Sequence, residues 1–418
     1  MRIIHNNSFV KAIGFDTFIG SLGLFFRALI QAIYLVIVSR AIGVDGYGFF
    51  AGVVAVSILL SPLSGWGCSY VVTRKISAEN ISVNSILIPV LMQVIITGTF
   101  LLAIIASVST LINYISLSVL LLIGISELIL LPIVLVIANI GIALRKSIFA
   151  AIIACVVPVA RLLSLLLVLV FMRNEITVDY VCWSYFAGSL SGIIVSMAYL
   201  FCITGAPEFP KKIISTDMIK AGGPYAMGSA VSSSFMELDK VIVLHFLGSA
   251  ALGLYSLAFR VSSIFILPLA AFGSVVLPRI FAGKVDHQWE GATKILLLFP
   301  LVYGVIAGAI MCALAPLVPL IFGNEFAESV NYLRLLALWP VLHGIRSCLG
   351  VGLVGAGLQS GRLLIELAGL ITVVLLNVCL ISKYGVVLTI YSLLASEFLM
   401  AIFFFYFFQK KRKYSASL

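Results

Sequence analysis

The stretch FDTFIGSLGLFFRALIQAIYLVIVS, residues 15–39, is apolar over most of its length, yet it carries an arginine, Arg27, near its centre. Apolar runs of about 20 residues cross a hydrocarbon core of about 30 Å as helices. A guanidinium in the middle of such a helix costs roughly 2.5 to 3.5 kcal/mol on insertion scales, so it faces protein or water rather than lipid. The run therefore reads as a transmembrane helix that turns a cation into a polar space inside the bilayer. At about 1.5 Å of rise per residue, Arg27 lies roughly 18 Å along it. Gly20, Gly23, Arg27, Gln31 and Tyr34 recur at helical spacing on one side. Small residues leave room on that side and polar ones line it.

Outward from this segment the pattern repeats. Further apolar runs of spanning length fall near 47–66, 85–108, 116–139, 148–171, 178–203, 220–247, 252–278, 293–322, 328–353, 361–382 and 385–408. Transmembrane strands are about half as long and alternate in polarity, so these runs are helices. Of the 418 residues, 62% are hydrophobic and 10% charged, which excludes both a soluble globular chain and a disordered one. The expected fold is an all-α integral membrane protein with twelve transmembrane helices.

Charge sets the topology. With the N-terminus inside, 16 of the 26 Lys and Arg residues fall on inner segments. They are Arg2 and Lys11, Arg74 and Lys75, Arg145 and Lys146, Lys211 and Lys212, Arg279, Lys284 and Lys294, Arg362, and residues 410–413. The outer loops hold Arg40, Arg173 and Lys383. The positive-inside rule puts both termini in the cytoplasm. The net charge of +10 then reports topology and not nucleic-acid binding. The first run is too long for a signal-peptide core and is expected to remain as helix one. Cys68, Cys155, Cys182, Cys202, Cys312, Cys348 and Cys379 form no C-x-x-C pair. They read as buried, inert thiols, with no metal, redox centre or cofactor implied.

The longest connection, 204–219, contains Gly205, Pro207, Pro210, Lys211 and Lys212 and falls at the midpoint. It divides the chain into an N-terminal six-helix bundle, 1–205, and a C-terminal one, 206–418. The stretch IVSRAIGVDGYGFFAG, 37–52, is echoed by VLHFLGSAALGLYSLA, 243–258. With six helices each, the halves share an orientation about a pseudo-twofold axis normal to the membrane, a geometry found in alternating-access carriers.

Two further arginines lie at depth: Arg161 in the fifth run and Arg260 in the eighth. Glu127 and Glu397 oppose them. Ser256, Arg260 and Ser263 repeat the polar spacing, and Ser164 follows Arg161 by three residues. An arginine fork suits phosphate oxygens, so these faces fit an anionic cargo. The competing account is a set of Arg–Glu pairs that hold helices together. Glu127 and Glu397 are then partners of the arginines or proton sites for antiport. Arg334, Arg346 and Lys240 read as side chains snorkelling towards an interface, and His343 as packed or end-located.

The segment GGPYAMGSAVSSSFMELDKVIVLHFLGSAALGLYSLAFRVS, 222–262, resembles the seventh and eighth helix region of polysaccharide-exporting flippases. These belong to the multidrug, oligosaccharidyl-lipid and polysaccharide exporter superfamily. The shared residues are Gly222, Gly223, Pro224, Leu238, Asp239, Lys240, Leu247, Gly248, Gly253, Tyr255, Ser256, Ala258 and Arg260. In the first half the resemblance runs through Gly43, Gly46, Tyr47 and Gly48 and through GWGCSYVVTRKIS, 65–77. It implies a Wzx-type flippase for O-antigen or related repeat units, moving an undecaprenyl-pyrophosphate-linked oligosaccharide to the periplasmic leaflet. It also implies a substrate cavity drawing on Arg27, Gln31, Tyr34, Arg161, Asp239, Lys240 and Arg260. Where the family often has Asp-Arg, this chain has Asp239-Lys240, which keeps the charge and loses the bidentate fork.

The alternatives separate on chemistry. A drug exporter of the same superfamily needs cavity carboxylates for cationic cargo, and a peptidoglycan-precursor flippase generally has two more helices. A glycan polymerase or glycosyltransferase needs a sizeable outer loop, and here none exceeds about ten residues. No H-E-x-x-H, G-x-S-x-G or P-loop is present. The expectation is a transporter, not an enzyme, whose partners are lipid-linked oligosaccharide, membrane lipid and, in assembly, a polysaccharide polymerase and chain-length regulator.

Overall fold

The computed structural model describes residues 7–112, 116–172, 176–208, 216–270, 272–273, 289–355 and 359–416. The centre of the 204–219 connection, with Pro210, Lys211 and Lys212, lies outside the described residues, as do Arg2, Arg173, Arg279 and Lys284. All regular structure in the described residues is helical. In lipid the backbone has no water to bond to, and a helix satisfies its own N–H and C=O groups.

Nine helical segments among the described residues are long and apolar enough to cross a membrane. Three of them, Ile19–Glu79, Asp217–Ile264 and Ser360–Phe407, are 61, 48 and 48 residues long. At about 1.5 Å per residue each exceeds twice the hydrocarbon thickness. Each is kinked at a single glycine with positive φ: Gly43 (φ 66°), Gly248 (φ 85°) and Gly385 (φ 65°). A residue with a Cβ pays for that conformation and glycine does not. They interrupt α1 (Asn7–Leu60), α8 (Thr216–Ile264) and, at the chain's end, a helix over Gln359–Ala416.

The second apolar run, read as ending near residue 66, meets a break in the helix there. After Leu60 the chain leaves helical geometry at Ser64, Gly65 and Trp66 and then resumes as α2 (Cys68–Glu79). Polar side chains replace the lost backbone bonds. Gln93 Nε2 donates to the Gly65 carbonyl at 2.9 Å, and the Gly65 N–H donates to Thr97 Oγ1 at 2.7 Å. Both come from α3 (Val83–Ile112).

The chain divides into two compact units. The first comprises Met1–Ile42 and Val53–Ser233, the second Gly43–Gly52 and Ser234–Leu418. In the first, α2, α3, α5 (Leu131–Ala143), α6 (Ser147–Phe171) and α7 (Val178–Thr204) pack around Val72, Val90, Ile137, Ile153 and Leu200, and α4 (Leu117–Ile125) lies against α3 and α7. On α7, Gly188 and Gly192 form a small-xxx-small stripe against α6. A Cβ at Gly188 would run into the Arg161 backbone, and one at Gly192 into Val157.

The second unit is built on α9 (Trp289–Leu314), the short α10 (Val318–Phe322), α11 (Ser329–Leu335), α12 (Trp339–Gly355) and α13 (Gln359–Ala416). Trp339, Phe326, Phe404 and Tyr255 are its large fully buried side chains. Within this unit the echoed stretches meet reciprocally. A Cβ on Gly48 would strike the Ser249 carbonyl, and one on Gly253 would strike that of Val44.

The cysteines are all free, but they are not uniformly buried: Cys202, Cys312 and Cys379 are exposed on the helices. In a membrane span exposure means contact with lipid as readily as with water, so apolar flanks did not decide burial.

Candidate functional site

In the first unit Glu127 sits in a π-helical turn, Ser126–Leu130. Such turns inside α-helices recur at functional positions. Pro132 follows and supplies no N–H to the helix, so the Leu128 carbonyl is open to a bond from the Ser64 hydroxyl. Ser61 Oγ donates to the Glu127 carbonyl at 2.9 Å. The Glu127 carboxylate is 1% exposed and accepts from Arg161 Nη2 at 2.8 Å and from the Tyr185 hydroxyl at 2.5 Å. Arg161 also donates from Nη1 to the Tyr185 oxygen at 2.6 Å and from Nε to Ser189 Oγ at 2.9 Å. Its guanidinium lies 3.7 Å from the Tyr185 ring centre. The Gly188 stripe brings α7 close enough for Ser189 and Tyr185 to make these bonds. Arg161 is thus held by three donated hydrogen bonds and the Tyr185 ring. Ser164, read as lining beside it, donates instead to the backbone carbonyls of Arg161 and Ser184.

Arg27 differs. It is half-buried, and among the described residues its side chain makes no ion pair and no hydrogen bond. Glu127 and Arg161 are near enough to be felt electrostatically, and Cys155 adjoins it. Gln31, one turn further, is exposed. Two turns further, the Tyr34 hydroxyl is buried without a hydrogen-bond partner among the described residues, its ring 6.3 Å from that of Tyr185. The polar face of α1 therefore runs up to the Glu127 network. Gly20 is open, but Gly23 is a packing contact: a Cβ there would come 2.8 Å from the Ala151 Cβ on α6.

In the second unit Asp239 and Lys240 are buried together. Lys240 is 3.3 Å from Asp239 and 3.5 Å from Glu237, donates to the Met236 carbonyl, and lies 3.7 Å from the Phe259 ring centre. The Tyr255 hydroxyl donates to Asp239. Lys240 is 0% exposed, so it does not snorkel; its charge is met by carboxylates on its own helix. Arg260, 37% exposed, approaches Glu237 at 3.9 Å, so its acidic neighbour is neither Glu127 nor Glu397.

Glu397, on α13, anchors a second buried network. It accepts from Trp339 Nε1 at 3.2 Å and from Arg346 Nε, and lies 2.8 Å from His343 Nδ1. Glu366 joins Arg346 at 3.5 Å and Arg362 at 2.9 Å. Arg346 and His343 are each 8% exposed. The expected snorkelling of Arg346 is corrected by this burial, and His343 is a network member. Arg334, by contrast, is exposed in the last turn of α11.

Sequence reasoning passed over Tyr185, Ser189, Glu237, Trp339, His343, Arg346 and Glu366 as partners. Helical spacing held a signal for some: Glu237 and Lys240 are three apart, Arg362 and Glu366 four. Among the described residues no group of His, Cys, Asp and Glu converges as a metal site requires.

A family model described as "Polysaccharide biosynthesis protein" matches residues 13–284, more than half of the chain. The uncharacterized membrane protein MJ1375 of Methanocaldococcus jannaschii is 25% identical over 174 residues, which is 41% of this chain and 40% of that protein. Among solved structures, a multidrug resistance MATE family transporter of the MOP superfamily in its inward-facing conformation matches with a TM-score of 0.73. It is 14% identical over 94% of this chain and 96% of that one. A MOP superfamily transporter from Pyrococcus furiosus, described as having a binding pocket of reverse polarity, matches with a TM-score of 0.69. It is also 14% identical, over 97% of this chain and 96% of that one. These structural likenesses establish a shared fold.

Proposed function

The chain belongs to the polysaccharide biosynthesis protein family, and from that premise we propose that it is a flippase for lipid-linked oligosaccharide. Family and fold point to a transporter rather than an enzyme. The proposed cargo is an undecaprenyl-pyrophosphate-linked repeat unit of O-antigen or a similar surface polysaccharide. It is carried from the cytoplasmic to the periplasmic leaflet by alternating access.

The observation that carries this reading is Arg27, a cation well inside a spanning helix whose side chain makes no ion pair or hydrogen bond among the described residues. Such a group is expensive to keep and is retained where a ligand supplies the missing charge. A pyrophosphate does so through charge-assisted bonds to the planar fork. Arg260 is a partly exposed cation of the second unit and the next candidate for cargo contact. Gln31 and Tyr34 extend the Arg27 face, while Arg161, Asp239 and Lys240 support the surrounding helices.

A drug exporter of the same superfamily would need carboxylates free for a cationic cargo. The buried acids among the described residues, Glu127, Glu237, Asp239, Glu366 and Glu397, each lie within 4.0 Å of an Arg or Lys. That supports anionic cargo.

In this reading each of the three long helical segments, turned at Gly43, Gly248 or Gly385, supplies two crossings. The total is twelve, in bundles 1–205 and 206–418, with both termini on the cytoplasmic side of a bacterial inner membrane. A polymerase and chain-length regulator would receive the product. The test is transport in vesicles. The purified protein should move an undecaprenyl-pyrophosphate-linked saccharide between leaflets and leave a cationic dye in place. Dye transport without movement of the glycolipid contradicts the proposal.

A further inference from the structure

One cavity in the first unit is not used by the proposal above. The facing sides of α1 and α6 form an apolar groove of about 640 Å³. Its lining includes Leu22, Gly23 and Phe26 from α1 and Ala151, Cys155 and Val159 from α6. We infer that this groove seats the isoprenoid tail of the cargo while Arg27 holds its pyrophosphate. The inference rests on the flippase reading and adds where the lipid goes.

Three observations lead to it. First, the groove adjoins the cation. Arg27 follows Phe26 directly and lies one turn beyond Gly23, so Gly23 belongs both to the groove and to the polar face. Cys155, which lines the groove and whose Sγ contacts the Gly23 carbonyl at 3.4 Å, is also an electrostatic neighbour of Arg27. An amphiphile with a doubly anionic head and a long chain of methyl-branched apolar units matches that juxtaposition, and a neutral or cationic one does not.

Second, the dimensions suit one chain. On α1 the lining runs from Ile19 to Ile30, roughly 16 Å at the helical rise. That is about half of a hydrocarbon core, the depth of one leaflet. The groove volume falls in the range of about 300–1,000 Å³ typical of formed ligand sites. With a cytoplasmic N-terminus it occupies the cytoplasmic half, where the cargo waits before transport.

Third, the groove is shaped by fixed packing. Gly23 and Ala151 set the helix separation at the floor. Larger side chains stand outward as walls, with Val159 37% and Leu163 55% exposed. Tail and head would therefore be bound by one rigid pair of helices, and the cation would discriminate pyrophosphate lipids from bulk lipid in the same groove.

Site-specific photo-crosslinking tests this in cells that make the lipid-linked glycan. Val159→p-benzoylphenylalanine places the probe on the groove wall. Val170→p-benzoylphenylalanine places it on the same helix beyond the groove lining, at a 64% exposed position. Irradiation should attach glycolipid several-fold more at Val159, and adding Arg27→Ala should remove most of that excess. Leu163→p-benzoylphenylalanine, also in the lining, replaces the first variant if that one fails to insert. Equal attachment at groove and control, or ordinary phospholipid alone at both groove positions, overturns the groove. Vesicle transport of the glycolipid by the unmodified protein would then still stand, so the two readings fail separately.

Discussion

Arg161 and Glu127 close to 2.8 Å, with Tyr185 bonded to both and Ser189 to Arg161. Arg27, on a neighbouring helix of the same unit, makes no ion pair among the described residues. Two arginines that look alike in sequence therefore differ in their partners: one is paired with a buried acid of its own unit, and the other makes no such pair among the described residues.

Removing one member of the spent pair should cost more than removing both. An unpaired buried charge destabilises by about 3–5 kcal/mol, whereas replacing the whole pair by neutral groups is often tolerated. Arg161→Met should lower membrane abundance and thermal stability in detergent sharply, and Arg161→Met with Glu127→Gln should recover most of the loss. A double variant no better than the single one would make Arg161 more than a structural partner.

The reciprocal contact of Gly48 with Ser249 and of Gly253 with Val44 predicts a steric phenotype. Neither position has room for a Cβ, because the obstacle is backbone. Gly48→Val should reduce stability and transport together, and Gly228→Val, where nothing lies within 4 Å of the added Cβ, should do neither beyond the cost of a β-branched residue in a helix. Thermal melts and glycan display of the two variants check this.

Much of the architecture was legible in the chain because lipid enforces it. Apolar length gave the helices, and the glycines at 43, 48, 248 and 253 marked where they turn and touch. The second apolar run was read as ending near residue 66, where the helix breaks, but the side chains that take up the freed Gly65 groups were not legible, since Gln93 and Thr97 lie on α3. Depth alone also could not sort the cations. Lys240 and Arg346 sit near helix ends in sequence, yet tertiary packing encloses them, and their partners Phe259 and Glu397 lie on other segments of the unit. Arg161 drew attention through depth and Ser164. Tyr185 and Ser189, which explain it, lie on α7 and carry no charge to advertise them.

Topology predicts labelling. The distribution of basic residues predicts a cytoplasmic central connection. Lys211→Cys, in a background lacking the exposed cysteines, should react with an impermeant maleimide in inverted vesicles and not in intact cells whose outer membrane has been permeabilised. Labelling from the outer face would reverse the orientation and with it the direction of transport.

The most direct measurement concerns Arg27 itself. Glycolipid transport in vesicles is compared for the unmodified protein, Arg27→Lys and Arg27→Ala at matched protein content. The account predicts near-complete loss in Arg27→Ala with unchanged thermal stability, because no internal partner among the described residues is orphaned. Partial transport is expected in Arg27→Lys, which keeps the charge and loses the two-pronged contact. Full transport by Arg27→Ala would contradict the claim that this cation binds the cargo.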